Sequence, residues 1–238
     1  MSLLSIVQSH CQINGLNVPN AVIGAQDTTT VQLLALLNEL VELITDQAKF
    51  QGFTREAVHT LTVGEDQGAI ENIADEGYLW MFPGTFWNRT RNLQIAGPFN
   101  EVEWQQRKAQ DIGGTYYGFR LRENHILINP APASGGLDQV VFEYASSYGV
   151  IDNTGTAKSA FTADTDTFAM PERLLKKGLG WRWKHQKGLA YQLEEQEFWD
   201  MLNNYIARDK AARPLNLNGS CENDFRPGVF VPFWDAIT

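Results

Sequence analysis

The sequence predicts an α+β fold in which an antiparallel helical bundle, built from the two ends of the chain, forms the core, with a β-rich insertion and an extended C-terminal tail. Apolar residues recur at helical spacing near both ends, as in Leu33, Leu36, Leu37, Leu40 and Ile44 and again in Leu174, Leu175, Leu179 and Trp183. Between these ends the period changes to strand-like runs such as 118–122, 125–129 and 139–144. After Pro214 no period remains. The expected divisions are residues 1–52 for the N-terminal helices, 53–160 for the insertion, 161–213 for the C-terminal helices and 214–238 for the tail.

Ser2 is placed to cap a first helix toward Asn14, with Leu3, Ile6, Val7 and His10 on one side and Gly15 ending it. Asp27 or Thr28 caps a longer helix to about Phe50. Because Val31, Leu34 and Val41 line a second face of that helix, it needs more than one neighbour, and the C-terminal helices are the expected one. In the insertion, 58–63, 118–122, 125–129 and 139–144 read as strands, with Glu123-Asn124 as a two-residue hairpin turn. Asn100 and Glu103 have the spacing of a capping box for a short helix through Lys108. Pro171 and Glu172 open the next helix, Gly188 breaks it, and Pro214 forbids extension of the last. The tail carries Phe225, Phe230, Phe233 and Trp234 without a pattern that would bury them locally. Each is worth about 1.5–3 kcal/mol when buried, so docking onto a partner is expected.

Composition narrows the function classes. In 238 residues, 43% hydrophobic and 11% aromatic side chains suffice for a packed core. A net charge of −9 argues against a protein that wraps nucleic acid by neutralising phosphates. Cys11 and Cys221 form no metal or disulfide pattern, and the first helix lacks the basic region of an export signal, so synthesis in a reducing cytoplasm is expected.

Catalytic patterns are sparse. His10, His59, His125 and His185 show no paired spacing and read as structural histidines. There is no phosphate-binding glycine loop and no nucleophile elbow. Asp164 and Asp166 alternate in a polar turn, as a cation site would, but without a calcium-loop pattern they read as a loop capping the following helix. Glu194, Glu195 and Glu197 read as a solvated face opposite Lys184 and Lys187. The cluster Lys176, Lys177, Arg182, Lys184 and Lys187, interleaved with Trp181 and Trp183, is the one nucleic-acid-like feature. It suits a contact between subunits better, because the apolar stripe needs Trp183. No catalytic residue, metal or cofactor is expected.

The runs Phe82-Pro83-Gly84-Thr85-Phe86-Trp87-Asn88-Arg89-Thr90-Arg91, Gly97-Pro98, Glu103-Trp104-Gln105 and Phe119-Arg120-Leu121-Arg122 stand in order along the chain. They are followed by Ile128-Asn129-Pro130-Ala131-Pro132, Phe142-Glu143-Tyr144, Ala163-Asp164-Thr165-Asp166-Thr167, Gly180-Trp181-Arg182-Trp183-Lys184 and Ile206-Ala207-Arg208-Asp209. In this order the chain resembles the head-to-tail adaptor proteins of short-tailed phages, from its first helices to about Leu217. It departs at Gly149, where that pattern leads one to expect a bulky aromatic.

The resemblance implies a non-enzymatic virion protein at the head–tail junction, made in the host bacterial cytoplasm. It also implies a twelve-fold ring beneath the portal that connects head to tail and lines the channel for genome retention and ejection. Its partners would be the portal protein, the tail nozzle, tail fibre proteins and other copies of itself, with DNA passing unbound and no membrane involved. In that setting Phe225, Phe230, Phe233 and Trp234 are the expected portal anchors, and Lys176, Trp181, Arg182 and Arg208 the expected subunit contacts. The alternatives are a DNA-binding accessory protein and a metal-assisted hydrolase built on Asp164 and Asp166.

Overall fold

The computed structural model describes residues 2–47, 50–74, 76–110, 116–133 and 135–209. In chain order its elements are α1 (Leu3–Ile13), α2 (Thr28–Gln47), β1 (Thr54–Thr60), β2 (Asp66–Ala69), α3 (Ile70–Ile73), β3 (Tyr78–Met81), β4 (Trp87–Asn88), β5 (Leu93–Gln94), α4 (Glu101–Ala109), β6 (Gly118–Arg122), β7 (His125–Asn129), β8 (Gln139–Ser146), β9 (Val150–Ile151), β10 (Ala157–Lys158), β11 (Thr167–Phe168), α5 (Glu172–Gln186) and α6 (Gln192–Asp209). A 3-10 turn, Gln51–Phe53, leads into β1.

The helices form where the spacing asks for them. Asp27 accepts the Thr30 N–H at 3.0 Å and the Thr30 hydroxyl at 3.1 Å, which caps α2. Leu33, Leu36, Leu37, Leu40 and Ile44 are buried along α2, against α5. α5 also packs on α1 and α6, so Leu174, Leu175 and Leu179 enter one cluster with Leu3, Ile6 and Val7. The α2–α5 crossing is close at Gly178, where an added Cβ would lie 2.4 Å from Leu40. Gly188, at φ 68°, lets the chain leave α5 and turn into α6.

β8 organises the largest sheet. It pairs antiparallel with β1, from Thr54↔Ala145 to Thr60↔Gln139, and with β3 and β4, while β5 extends β4. A second sheet runs β2–β7–β6 and a third β10–β9–β11, both antiparallel. The β6–β7 hairpin turns at Glu123 and Asn124, with φ of 53° and 62°, as a two-residue turn of the hand that strand twist favours. Asn100 and Glu103 form the expected capping box on α4, at 2.9 and 3.1 Å.

A helical bundle is not the core of this molecule, contrary to the sequence expectation. Among the described residues six helices and three antiparallel sheets share the fold, and the buried side chains divide into two clusters. One lies among the helices and takes in Val150 and Phe161 from beyond β8. The other is built from strand residues, with Phe86 edge-on to Phe119 at 4.7 Å and to Phe142 at 5.5 Å. The fold is α+β, and its strand-rich part carries its own core because inward aromatics from three strands and a loop meet there.

Two local expectations also change. The first strand spans 54–60 rather than 58–63, because the Gln67 amide holds Thr62 and Gly64 in a loop through contacts of 2.7 to 3.2 Å. At Gly149 an added Cβ would lie 2.9 Å from both Phe168 and Thr45, so a bulky aromatic has no room there.

Candidate functional site

The charged residues singled out in the sequence gather on the α5–α6 pair, and most have partners within the chain. Lys176 pairs with Glu172 one turn earlier at 2.6 Å. Arg182, buried, reaches Glu39 on α2 and lies over the Trp181 ring at 5.1 Å. Lys177 pairs with Glu197 and Lys184 with Glu194, which links α5 to α6. The Lys184 ammonium holds the Glu194 carboxyl below the usual carboxylate range. Lys187 lies 4.4 Å from the Trp183 ring centroid and bonds Gln32 at 3.1 Å instead of facing the glutamates.

The tryptophans are inside. Trp181 packs on Phe198 and Tyr191, and Trp183 meets the edge of His10 at 5.7 Å. Neither presents an open face for stacking a base, since both are buried.

Arg208 has a different setting. It lines an open groove of about 460 Å³ with Arg173, Lys177, Glu197, Asp200, Met201, Asn204 and Tyr205. Sequence reasoning missed Arg173, Asp200 and Tyr205. The available signal was the four-residue spacing of Arg173 with Lys177 and of Asp200, Asn204 and Arg208, which puts each set on one helix face. Asp209 fastens the end of α6 to the turn before β1, accepting the Gln51 N–H at 2.6 Å.

Asp164 and Asp166 serve the backbone. Asp164 accepts the N–H groups of Val22 and Ile23 at 3.0 and 2.9 Å. Asp166, buried, accepts those of Thr162 and Ala163 at 2.8 Å each and faces the Lys158 ammonium at 3.3 Å. Burial pushes its carboxyl pKa up, but the two N–H groups and Lys158 outweigh that and hold it below the usual range. Their loop does cap a helix, although it is α1 and not the following one: the carbonyls of Asp166 and Asp164 accept Leu3 N–H at 2.8 Å and Leu4 N–H at 3.2 Å. Among the described residues no three His, Cys, Asp or Glu side chains converge as a metal site would require.

A second groove, of about 680 Å³, opens on the β1–β8–β4 face, where Glu56 pairs with Arg89 at 2.6 Å beside Thr85, Trp87 and Glu143. The histidines are dispersed: His125 bonds Asp66 at 2.9 Å, His185 stacks edge-on against Tyr191, and burial lowers the His59 pKa. No described helix is long and apolar enough to cross a membrane. The expected portal anchors Phe225, Phe230, Phe233 and Trp234 lie outside the described residues, as does Cys221. Compared with family models and with curated proteins, the chain matches none.

Proposed function

We propose that this chain is a structural virion protein of the head-to-tail adaptor kind, which assembles as a twelve-fold ring beneath the portal and lines the channel for genome retention and ejection. The observation that carries the reading is the internal use of the chain's chemistry. The Lys176–Lys187 cluster is largely matched by Glu172, Glu197, Glu39 and Glu194, and its tryptophans are buried, which leaves a poor surface for nucleic acid. Asp164 and Asp166 hold backbone, which removes the carboxylates that a metal-assisted hydrolase would use. A protein whose charges knit its own elements together works through surfaces, and a −9 chain repels passing DNA.

In this reading Phe225, Phe230, Phe233 and Trp234 anchor the C-terminal segment to the portal, and the tail nozzle and fibre proteins lie beneath. The protein is made in the host bacterial cytoplasm, works at the head–tail junction, and needs no cofactor, catalytic group or membrane. Mixing the purified chain with its portal ring and weighing the product by light scattering after size exclusion tests this. One adaptor per portal subunit is expected, and two components that elute separately would overturn it. Deleting residues 214–238 should abolish the complex while leaving the circular dichroism of the rest of the chain unchanged.

A further inference from the structure

The α5–α6 groove holds charge that the chain leaves unmatched. Arg173 and Arg208 are exposed on its walls without an ion pair among the described residues, whereas Lys177 is taken by Glu197. Three cations there face two carboxylates, Glu197 and Asp200. Tyr205 adds half-buried aromatic surface beside them.

The reverse condition holds on α2. Glu42 and Asp46 lie one turn apart on its exposed face, also without ion pairs among the described residues. Like charges four residues apart repel each other. Both carboxylates also approach the negative end of the helix dipole, and the last turn of α2 has no basic residue to offset it. A cation brought from outside would relieve both costs.

The two features belong to different helices. α5 is the middle helix, in contact with α2 and with α6, while α2 and α6 touch each other little. The basic groove is lined by α5 and α6 residues, and the acidic ridge stands on the exposed face of α2. We propose that neighbouring copies of this chain join head to tail here, with the Glu42 and Asp46 carboxylates of one copy seated on the Arg173 and Arg208 guanidinium groups of the next. Contact between two different patches is heterologous and repeats until a ring closes. Guanidinium–carboxylate pairing gives such a contact direction as well as attraction, and local attraction is required for two −9 chains to associate. This inference rests on the ring reading above and names its junction.

The test uses the full chain, weighed alone and on its portal ring. Arg173→Glu with Arg208→Glu, and separately Glu42→Arg with Asp46→Arg, should each weaken ring assembly by about tenfold or more with unchanged circular dichroism. All four substitutions in one chain should restore it. Asp46→Cys with Asn204→Cys in one chain should give a ladder of covalent oligomers on oxidation, absent from the parent chain. Rings that form normally from both reversed variants would overturn this junction and leave the portal-ring reading standing. A parent chain that forms no ring either alone or on the portal would overturn both. Failure of the fourfold exchange to restore assembly, with no ladder, would also overturn the pairing. So would duplex DNA held by the parent chain and released by Arg173→Glu with Arg208→Glu while rings persist, which would assign the groove to phosphate.

Discussion

His10 is 5% exposed, edge-on to Trp183, and burial lowers its pKa from 6.5 to about 4. The folded chain therefore holds it neutral, and the unfolded chain takes up a proton first as pH falls. Stability is full above about 6.5 and declines toward pH 4, by about 2–3 kcal/mol if this residue acts alone. Thermal melts across that range should show the slope, and His10→Leu should flatten it. Asp166 acts in a lower window. Its folded pKa is depressed, so its contribution is present above the ordinary value of 3.8 and is lost as pH falls through the folded one. Asp166→Ala would leave the Thr162 and Ala163 N–H groups without their acceptor and Lys158 with Asp152 as its remaining carboxylate, at a cost of about 1–3 kcal/mol at neutral pH, readable by denaturant titration. The buried face of His10 was legible from its spacing with Leu3, Ile6 and Val7. The work of Asp164 was not, because Val22 and Ile23 stand some 140 positions earlier and no local pattern connects them.

Elements with local signals were read closely, and those without were missed. The β6–β7 hairpin and α4 announce themselves by a turn pair and a capping box, each within a few residues. β4, β5, β9, β10 and β11 have two residues each, too short for any period, and exist because β8 pairs with β4, β4 with β5, and β9 with β10 and β11. Asn100→Ala should cost about 1 kcal/mol, since it leaves the Glu103 N–H without its acceptor. At the helix crossing, Gly178→Val should cost about 1–3 kcal/mol by driving a side chain into Leu40, with the loss visible in the denaturation midpoint. Gly180, two residues on, meets nothing within 4 Å, so Gly180→Ala provides the control and should be neutral or slightly stabilising.

For the whole molecule, the sequence pointed to the α+β class and to packing between α2 and the C-terminal helices, but it misjudged where the core lies. Alternating strands show which side chains turn inward. They do not show that Phe86, Phe119 and Phe142 meet one another instead of a helix, since that depends on contacts between residues 33 and 56 positions apart. The candidate groove was half visible: Arg208 stood out, while Arg173 is separated from it by a whole helical hairpin. Charge at this scale yields a further expectation. With the basic cluster matched internally, duplex DNA should bind more weakly than about 10⁻⁴ M at physiological salt, the weak end of non-specific binding, as measured by filter retention.

The cap on α1 has a temporal consequence. The carbonyls that satisfy Leu3 and Leu4 belong to Asp166 and Asp164, and the apolar face of α1 closes on α5, further along the chain. On a ribosome adding about 5–20 residues each second, the first helix waits roughly 8–30 seconds for its cap to be synthesised. α1 is thus completed long after it is made, and its Leu3, Ile6 and Val7 remain open to chaperones and proteases meanwhile. Nascent chains stalled before residue 160 should be cut within 3–13 by added protease, and chains released at full length should resist.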